Sequence, residues 1–570
     1  MTKSGLMIED RKKEICGLAA RRALELPLLS SGFWFHSDIR DNFYYAIHLY
    51  KYCIEKELEA GWSKEKLEDA KGIALKMISK VLSLQVRDAQ DHMYGHWPLD
   101  LGSDPSAAKP NQLPVELMGC LLILFYHQYQ HQLSPGVKND CYLAITTIYK
   151  SSLYARPLKD MNHHEAKHTS LMLLLGHFFH DQALMEKGLQ RAKQQLLHIQ
   201  RYGFKEYGAL PWYWHWIQSF TCVWEVVEDT EVRQTMSSLL DYLWQLRADY
   251  YLKGTWVGPH SRQWAHDVPK DNNTLLDYIQ FGDFPLPDEI TRLEGAALYT
   301  YKVSNDIVQR AVNKMKPMEI KQKIQFAGSD GYVQEKAHTY VFTTPDYAVG
   351  GIWERRNEFD NEQKRWDITL PLTQATIVKR VNQAFFFHPG ENYVYGDDRH
   401  ASSFGKVMYH KDTVIEMWAI PAEEKRAYPH IVGCLPTGQW HFEHLSGYGQ
   451  VEDVYLTYQL MNNSQTEKKP DRISITSSLI SGWNGAIIEV VSCKDARDIG
   501  IYSLESFIAA VKEKNELSFI TKSTVSEGVE EVSVFYRTWR NDTIRFSVNK
   551  SGSCERVLNN KPFSYKNNHT

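Results

Sequence analysis

A chain of 570 residues exceeds the size at which one hydrophobic core stops growing, so at least two structural units are expected. With 43% hydrophobic and 24% charged residues it has the balance of a folded globular protein, which excludes a disordered chain or one built of membrane spans. The formal net charge of −4, with no basic block, lacks the electrostatic footprint of a nucleic-acid binder.

The opening residues, "MTKSGLMIEDRKKEICGLAARR", have neither an apolar stretch nor a small-residue cleavage site, so a cytoplasmic location is expected. Helical periodicity then runs to about Val312, through "DNFYYAIHLYKYCIEKEL", "LEDAKGIALKMISKVLSL", "PVELMGCLLILFYHQYQHQL", "DCYLAITTIYKSSLYA", "HTSLMLLLGHFFH", "ALMEKGLQRAKQQLLHI" and "LPWYWHWIQSFTCVWEVV". In "RQTMSSLLDYLWQLRADYYL", Met236, Leu239, Leu240, Leu243 and Leu246 share one face. The greasiest runs are about half the length needed to cross a bilayer and read as buried helices, so no membrane partner is expected. Helix pairs joined by polar loops suit an (α/α) barrel or incomplete toroid, although spacing alone does not separate a closed ring from a solenoid.

After "NKMKPMEIKQKIQF" the period falls to two, in "HTYVFTTPDYAVGG", "DVYLTYQLM", "RISITSSLI", "AIIEVVSC" and "EVSVFYRTWRNDTIRFSV". Val532, Val534 and Tyr536 are placed on one face, Ser533 and Arg537 on the other. Short strands with turn signals and no helices between them predict an antiparallel β-sandwich. The expected units are a toroid over 1–315 and a sandwich over 325–565. Eight scattered cysteines predict reduced thiols, neither disulfides nor a cysteine metal site. The 16 Trp and 32 Tyr fit either a sugar-stacking cleft or a Trp-rich helical core.

One stretch, "DMNHHEAKH", supports three chemistries. His164 and His168 with Glu165 form H-E-x-x-H, which puts two imidazoles on one helix face for zinc, though Lys167 places a cation beside them and no third ligand is evident. Alternatively Asn162 and Glu165 form a capping box at a helix start. In the third, Asn162 and His163 donate to the carboxylate of a uronic acid. The C5 proton of a uronate is weakly acidic while that carboxylate keeps its charge, so donors must neutralise it before a base can act. A Tyr near a cation then serves as acid or base.

The combination resembles the heparinase II/III-like and oligoalginate lyase group of polysaccharide lyases, which join an α/α toroid to an antiparallel β-sandwich with the active site in the cleft between them. The likeness covers nearly the whole chain in architecture but only short motifs in sequence. It implies that Asn162 and His163 neutralise the carboxylate. It also implies that Tyr213 in "EYGALPWYWHW", fifty residues beyond His163, is the catalytic Tyr, and that His260 and Arg262 in "GPHSRQW" line the cleft. "TTPDYAVGG" resembles the first sandwich strands, ending in a turn at Gly350 and Gly351. The group often adds a β-domain His, for which His400 in "GDDRHASSFGK" is preferred to His388 and His410. Trp212, where relatives carry small residues, narrows the site or gives a stacking platform.

Further candidates are His96 and Trp97 in "YGHWPLD" and Asn111 and Glu116 in "KPNQLPVELMG", which line a sugar cleft or simply precede a helix. The expectation is a lyase cleaving uronic-acid-containing oligosaccharides or polysaccharides by β-elimination, on imported oligosaccharides in preference to intact polymer, with no cofactor, no required metal and a homodimer left open. Two alternatives stand: a glycoside hydrolase, with Glu206 and Asp100 as its carboxylates, and the zinc peptidase.

Overall fold

The computed structural model describes residues 7–55, 62–263, 273–286, 290–356, 362–374, 381–514, 516–524, 528–563 and 565. The first half is an array of helices: α1 (Ile8–Glu25), α2 (Ile39–Glu55), α3 (Lys64–Ser83), α4 (Pro114–Tyr129), α5 (Pro135–Ser151), α6 (His163–Phe178), α7 (Gln182–Tyr202), α8 (Leu210–Val226), α9 (Thr230–Asp249), α10 (Leu275–Gln280) and α11 (Asn305–Val312). The segment proposed for α2 ended three residues further on, at positions outside the described residues.

α4, α6 and α8 are buried around almost their whole circumference. α7 and α9 keep a polar face to solvent. A helix that is apolar all round belongs inside, and an amphipathic one outside. α4 packs on α6 and α8, and α6 and α8 are backed by α7 and α9, so the helices alternate between an inner and an outer layer of an incomplete α/α toroid. Two-residue pairs, β1 (Trp97–Pro98) with β2 (Pro110–Asn111) and β3 (Tyr251–Leu252) with β4 (Thr255–Trp256), fasten its loops.

The second half is an antiparallel β-sandwich. Its strands in chain order are β5 (Met318–Ala327), β6 (Val333–Thr343), β7 (Ala348–Ile352), β8 (Trp366–Thr369), β9 (Gln383–Phe387), β10 (Gly405–His410), β11 (Thr413–Ala419), β12 (His430–Pro436), β13 (Gln439–Phe442), β14 (Ser446–Val451), β15 (Val454–Leu460), β16 (Ser464–Lys468), β17 (Arg472–Ser478) and β18 (Trp483–Ser492). An eight-stranded sheet, ordered β16-β17-β12-β9-β8-β7-β6-β5, and a six-stranded sheet, β10-β11-β18-β15-β14-β13, share a core that includes Ile368, Phe385, Val414, Ile415 and Ile487. A further five-stranded sheet covers residues 517–562. There Val532, Val534 and Tyr536 are fully buried, alternating with half-exposed Ser533 and Arg537 as the pleat requires.

Three expectations are corrected. The sandwich starts at Met318, seven residues before the expected 325, because Lys321, Lys323 and Gln325 occupy the outer face of an edge strand and mask its alternation. Helices do lie within the β half: Leu504–Lys514 covers the six-stranded sheet by seating Phe507 on Tyr455, 4.8 Å between ring centroids. Gly350 and Gly351 are within β7, not in a turn. A Cβ on Gly350 would fall 2.7 Å from the Cα of Gly258, so the missing side chain lets the sandwich approach the toroid's Val257–Gly258 segment.

All eight cysteines are free thiols. Trp97, Trp216, Trp244 and Trp256 are core side chains, which accounts for much of the aromatic density. Among the described residues no helix is long and apolar enough to cross a membrane. The halves are tied where Tyr250 Oη donates to Gln322 Oε1 at 3.0 Å, and where the β5–β6 turn lies on the loop before α6, with Ser329 N donating to Lys159 O at 2.9 Å.

Candidate active site

A cleft of about 670 Å³ opens at this junction. Its walls come from α2, α6, the 205–215 segment, the 261–262 loop, Arg292 and the β5–β6 turn. At its floor is the start of α6. Met161 has φ +50, a left-handed conformation uncommon for a non-glycine residue. The carboxylate of Glu165 fixes that bend by accepting from the backbone N–H of Lys159 (2.7 Å), Asp160 (3.0 Å) and Met161 (2.6 Å).

Asn162 reconciles two of the readings. Its Oδ1 accepts from His164 N (3.1 Å) and Glu165 N (3.2 Å), which is helix capping. Its Nδ2 donors are taken by no described residue, and Asn162 lines the cleft. One carboxamide can therefore cap the helix and donate to an anion.

His163 is gripped by Glu206. Its backbone N–H, one of the donors a helix start leaves without an internal partner, reaches Glu206 Oε2 at 2.9 Å, and its Nδ1 lies 2.6 Å from Oε1. Trp216 Nε1 donates to Oε2 at 2.7 Å. Burial pushes the Glu206 carboxyl up, but His163 and Trp216 outweigh it and hold the group below its usual range. Burial pushes His163 down to about 4, against the pull of Glu206, so near pH 7 the ring is neutral. With the Nδ1 proton on Glu206, Nε2 carries a lone pair. The ring also lies flat on Trp212, 4.7 Å away at 11°. The guanidinium of Arg262 sits 5.0 Å from the Trp212 ring, and its Nε donates to Glu362 at 2.7 Å. Trp212 thus packs between protein groups as a spacer for His163 and Arg262.

The H-E-x-x-H pair closes on a carboxylate. His164 Nδ1 (2.8 Å), Lys167 Nζ (2.5 Å) and His168 Nε2 (3.2 Å) all meet Glu116 from α4. Burial raises the Glu116 carboxyl, yet Lys167 and the two histidines hold it well below its ordinary value. Glu165, the would-be base, faces the loop backbone. Among the described residues no three His, Cys, Asp or Glu side chains are grouped to hold a metal ion. The donor set fits an ion-pair cluster.

Several expected cleft residues lie elsewhere. Tyr213 is wholly buried against Phe204, Trp214 and Trp256, and its hydroxyl donates to Leu243 O. Burial raises that phenol well above 10. Successive helical residues turn by about 100°, so the cleft face of α8 carries Trp212 and His215, three apart, and Tyr213 points away. Tyr213→Phe is accordingly expected to leave kcat within about twofold, since the hydroxyl touches no cleft atom; steady-state rates check this.

Trp97 is core, its Nε1 donating to Val81 O at 3.0 Å, and His96 is buried beside it. Asn111 turns its Oδ1 to Leu113 N (2.9 Å), ahead of α4. Glu116 lies beneath the cleft surface. His260 is buried where its backbone pairs with Lys364 across the junction. His400 ends a charge chain that runs from Arg262 through Glu362, Arg399 and Asp397, 3.7 Å from the last, and does not line the cleft. His388 and His410 are held by Ser402 and Asp542 inside the sandwich. For the hydrolase reading, Glu206 is saturated and ionised, while exposed Asp100 accepts from Gly102 N (2.8 Å) away from the cleft. They do not form a facing pair.

The cleft also holds Lys167 of the H-E-x-x-H stretch and groups that no motif marked: Arg40, Lys205, Arg292, Arg356 and His215. With Arg262 that makes six cationic side chains in the lining, five of them ion-paired from behind, Arg40 with Asp38, Lys167 with Glu116, Arg262 with Glu362, Arg292 with Glu294 and Arg356 with Glu335, so the wall offers an anion many N–H donors but little uncompensated charge.

No family model and no curated protein matches the chain. Among solved structures it is similar to a heparinase III, at 9% identity over 96% of this chain and 90% of that one, TM-score 0.35. It is also similar to a chondroitin AC lyase of Streptomyces coelicolor A3 in complex with chondroitin sulphate, at 9% identity over 96% and 87%, TM-score 0.46. The toroid-plus-sandwich assignment stands on the chain's own topology.

Proposed function

We propose that this chain is a carbon–oxygen lyase that cleaves uronic-acid-containing glycans by β-elimination. The observation that carries the reading is the carboxylate-held, neutral His163 beside the free Nδ2 donors of Asn162 in a cation-rich cleft. Asn162 Nδ2 and the lining cations neutralise the uronate carboxylate, which lowers the cost of charge developing as the C5 proton leaves. His163 Nε2 takes that proton. The C5–H electrons form the C4–C5 double bond, the C4–O4 bond breaks, and O4 leaves with the bonding pair. The imidazolium, stabilised by Glu206, returns its proton to O4, which restores the enzyme. Arg262, fixed by Glu362 and Trp212, is placed to bind the carboxylate.

Elimination adds no water. Mass spectrometry of products from a panel of uronate oligosaccharides is therefore expected to find fragment masses that sum to the substrate mass. A sum larger by one water would mean hydrolysis, and intact substrates throughout would reject the reading.

The titration of His163 gives a second expectation. A base held down to about 4 stays unprotonated through the mildly acidic range, so the acid limb of kcat/KM is expected near pH 4, well below the unperturbed histidine value of about 6.5. The sign for stability follows from the same depression. The unfolded chain binds the proton first, so the contribution is complete above about pH 6.5 and falls away as pH drops towards 4. A pH–rate profile with its acid limb near 6.5 would remove His163 as the base.

A further inference from the structure

A second histidine on the cleft wall has one nitrogen committed and one left over. His215 Nε2 lies 3.1 Å from Glu294 Oε1, and Glu294 is a hub: Arg292 Nη1 donates to the same oxygen at 3.0 Å and Gln218 Nε2 donates to the other. Burial pushes the Glu294 carboxyl up, but His215, Arg292 and Gln218 bring it down to about 2, so it is ionised and accepts only. The proton of the neutral ring is therefore on Nε2, and burial keeps the ring from taking a second one. Nδ1 is then a bare acceptor. It is buried with no hydrogen-bond donor among the described residues, on a residue that lines the cleft with its ring 5.6 Å from that of His163. Buried polar atoms are nearly always satisfied, and an orphan at a ligand cleft is most simply satisfied by the ligand. Glu294 itself has φ +43, a strained backbone of the kind that gathers at ligand sites.

We propose that His215 Nδ1 accepts a hydrogen bond from a free hydroxyl of the bound sugar, which makes His215 a specificity-determining residue selecting glycans unsubstituted at that position. A hydroxyl brings the donor that Nδ1 lacks. A sulfate ester at the same carbon brings only acceptor oxygens, whose lone pairs face the nitrogen lone pair. This inference rests on the uronate-lyase reading for the identity of the sugar, but the acceptor geometry is independent of the chemistry that follows binding.

The test uses matched uronate oligosaccharides, with free hydroxyls or O-sulfated on the uronate. The wild-type protein is expected to favour the free-hydroxyl member by at least about tenfold in kcat/KM, since sites built to hydrogen-bond a hydroxyl reject analogues lacking it strongly. His215→Phe is expected to raise KM for that substrate and erase the preference, while His215→Asn, which returns an amide oxygen near Nδ1, retains part of it. Glu294→Gln keeps the ring but allows a side-chain N–H to donate to Nε2, moving the proton to Nδ1. Its preference is expected to shrink or reverse, which loss of packing alone would not produce. Equal use of both substrates by the wild type, or a preference untouched in His215→Phe, would overturn the inference and leave the lyase reading intact. If the wild type cleaves neither, calorimetric binding of the same pair decides. Tighter binding of the free-hydroxyl member that is lost in His215→Phe supports His215 although the lyase reading has failed, and no difference in binding overturns it.

Discussion

Replacing His163 by alanine is expected to lower kcat by about 10²- to 10⁴-fold with little change in KM, the loss typical of removing a positioned acid–base group. The expectation follows from three contacts. Glu206 holds Nδ1 at 2.6 Å and so sets the tautomer, Trp212 fixes the ring plane, and Nε2 is left facing the cleft without a protein partner among the described residues. Substrate affinity is supplied chiefly by Asn162 and the cations, which the substitution leaves in place. Glu206→Gln is expected to fall in the same direction, because an amide can donate to Nδ1 and turn the lone pair away from Nε2. Steady-state rates, with circular dichroism to confirm the fold, are the check. A His163→Ala protein within tenfold of wild type would mean that another group carries the proton.

A large stability effect is expected at Glu116, which sits 4% exposed beneath His164, Lys167 and His168. Glu116→Ala leaves the Lys167 ammonium, itself 3% exposed, with no counter-charge, and stranding a buried ion typically costs about 3–5 kcal/mol. The exposed Lys193–Glu231 pair provides the contrast: its removal is expected to cost under about 1 kcal/mol. Denaturant unfolding followed by tryptophan fluorescence, which samples the Trp-rich toroid, measures both. A Glu116→Ala cost as small as the surface pair's would show that Lys167 finds water or another carboxylate when Glu116 is gone. The depressed Glu116 carboxyl also gives a direction with pH. Its contribution is present above the ordinary glutamate value of about 4.3 and is lost as pH falls further.

Helical and strand periods made the two-part architecture legible, because inner helices and sheet cores are set by burial patterns local in the chain. Asn162 and His163 stand out in the sequence because cap and ring are neighbours in one motif, but there the pair is expected to neutralise the carboxylate and Tyr213 to move the proton; the grip of Glu206 on His163, which underlies the proposed base, comes from another segment. Tyr213 and His215 were not separable by spacing from His163, since both fall in "WYWHW"; only the rotation of α8, fixed by packing Tyr213 against Phe204 and Trp256, decides which faces the cleft. His400 attracted attention as a polar loop residue, yet the Asp397–Arg399–Glu362 chain draws it inside. The H-E-x-x-H spacing placed His164 and His168 correctly on one face but said nothing of Glu116, which comes from another helix. The cationic lining was invisible for a similar reason. Arg40, Lys205, Arg292 and Arg356 lie far apart in sequence and meet only when the toroid curls and the β5–β6 turn closes against it.

The measurement that bears most directly on the central claim is ultraviolet absorbance of purified protein incubated with unsulfated uronate oligosaccharides, with reducing ends followed in parallel. Absorbance from the new double bond conjugated to the carboxylate is expected to rise in step with reducing ends in the wild type and in Tyr213→Phe, and both rates are expected to fall by about a hundredfold or more in His163→Ala. Reducing ends without absorbance, or a His163→Ala rate of absorbance within about tenfold of wild type, would contradict the lyase reading.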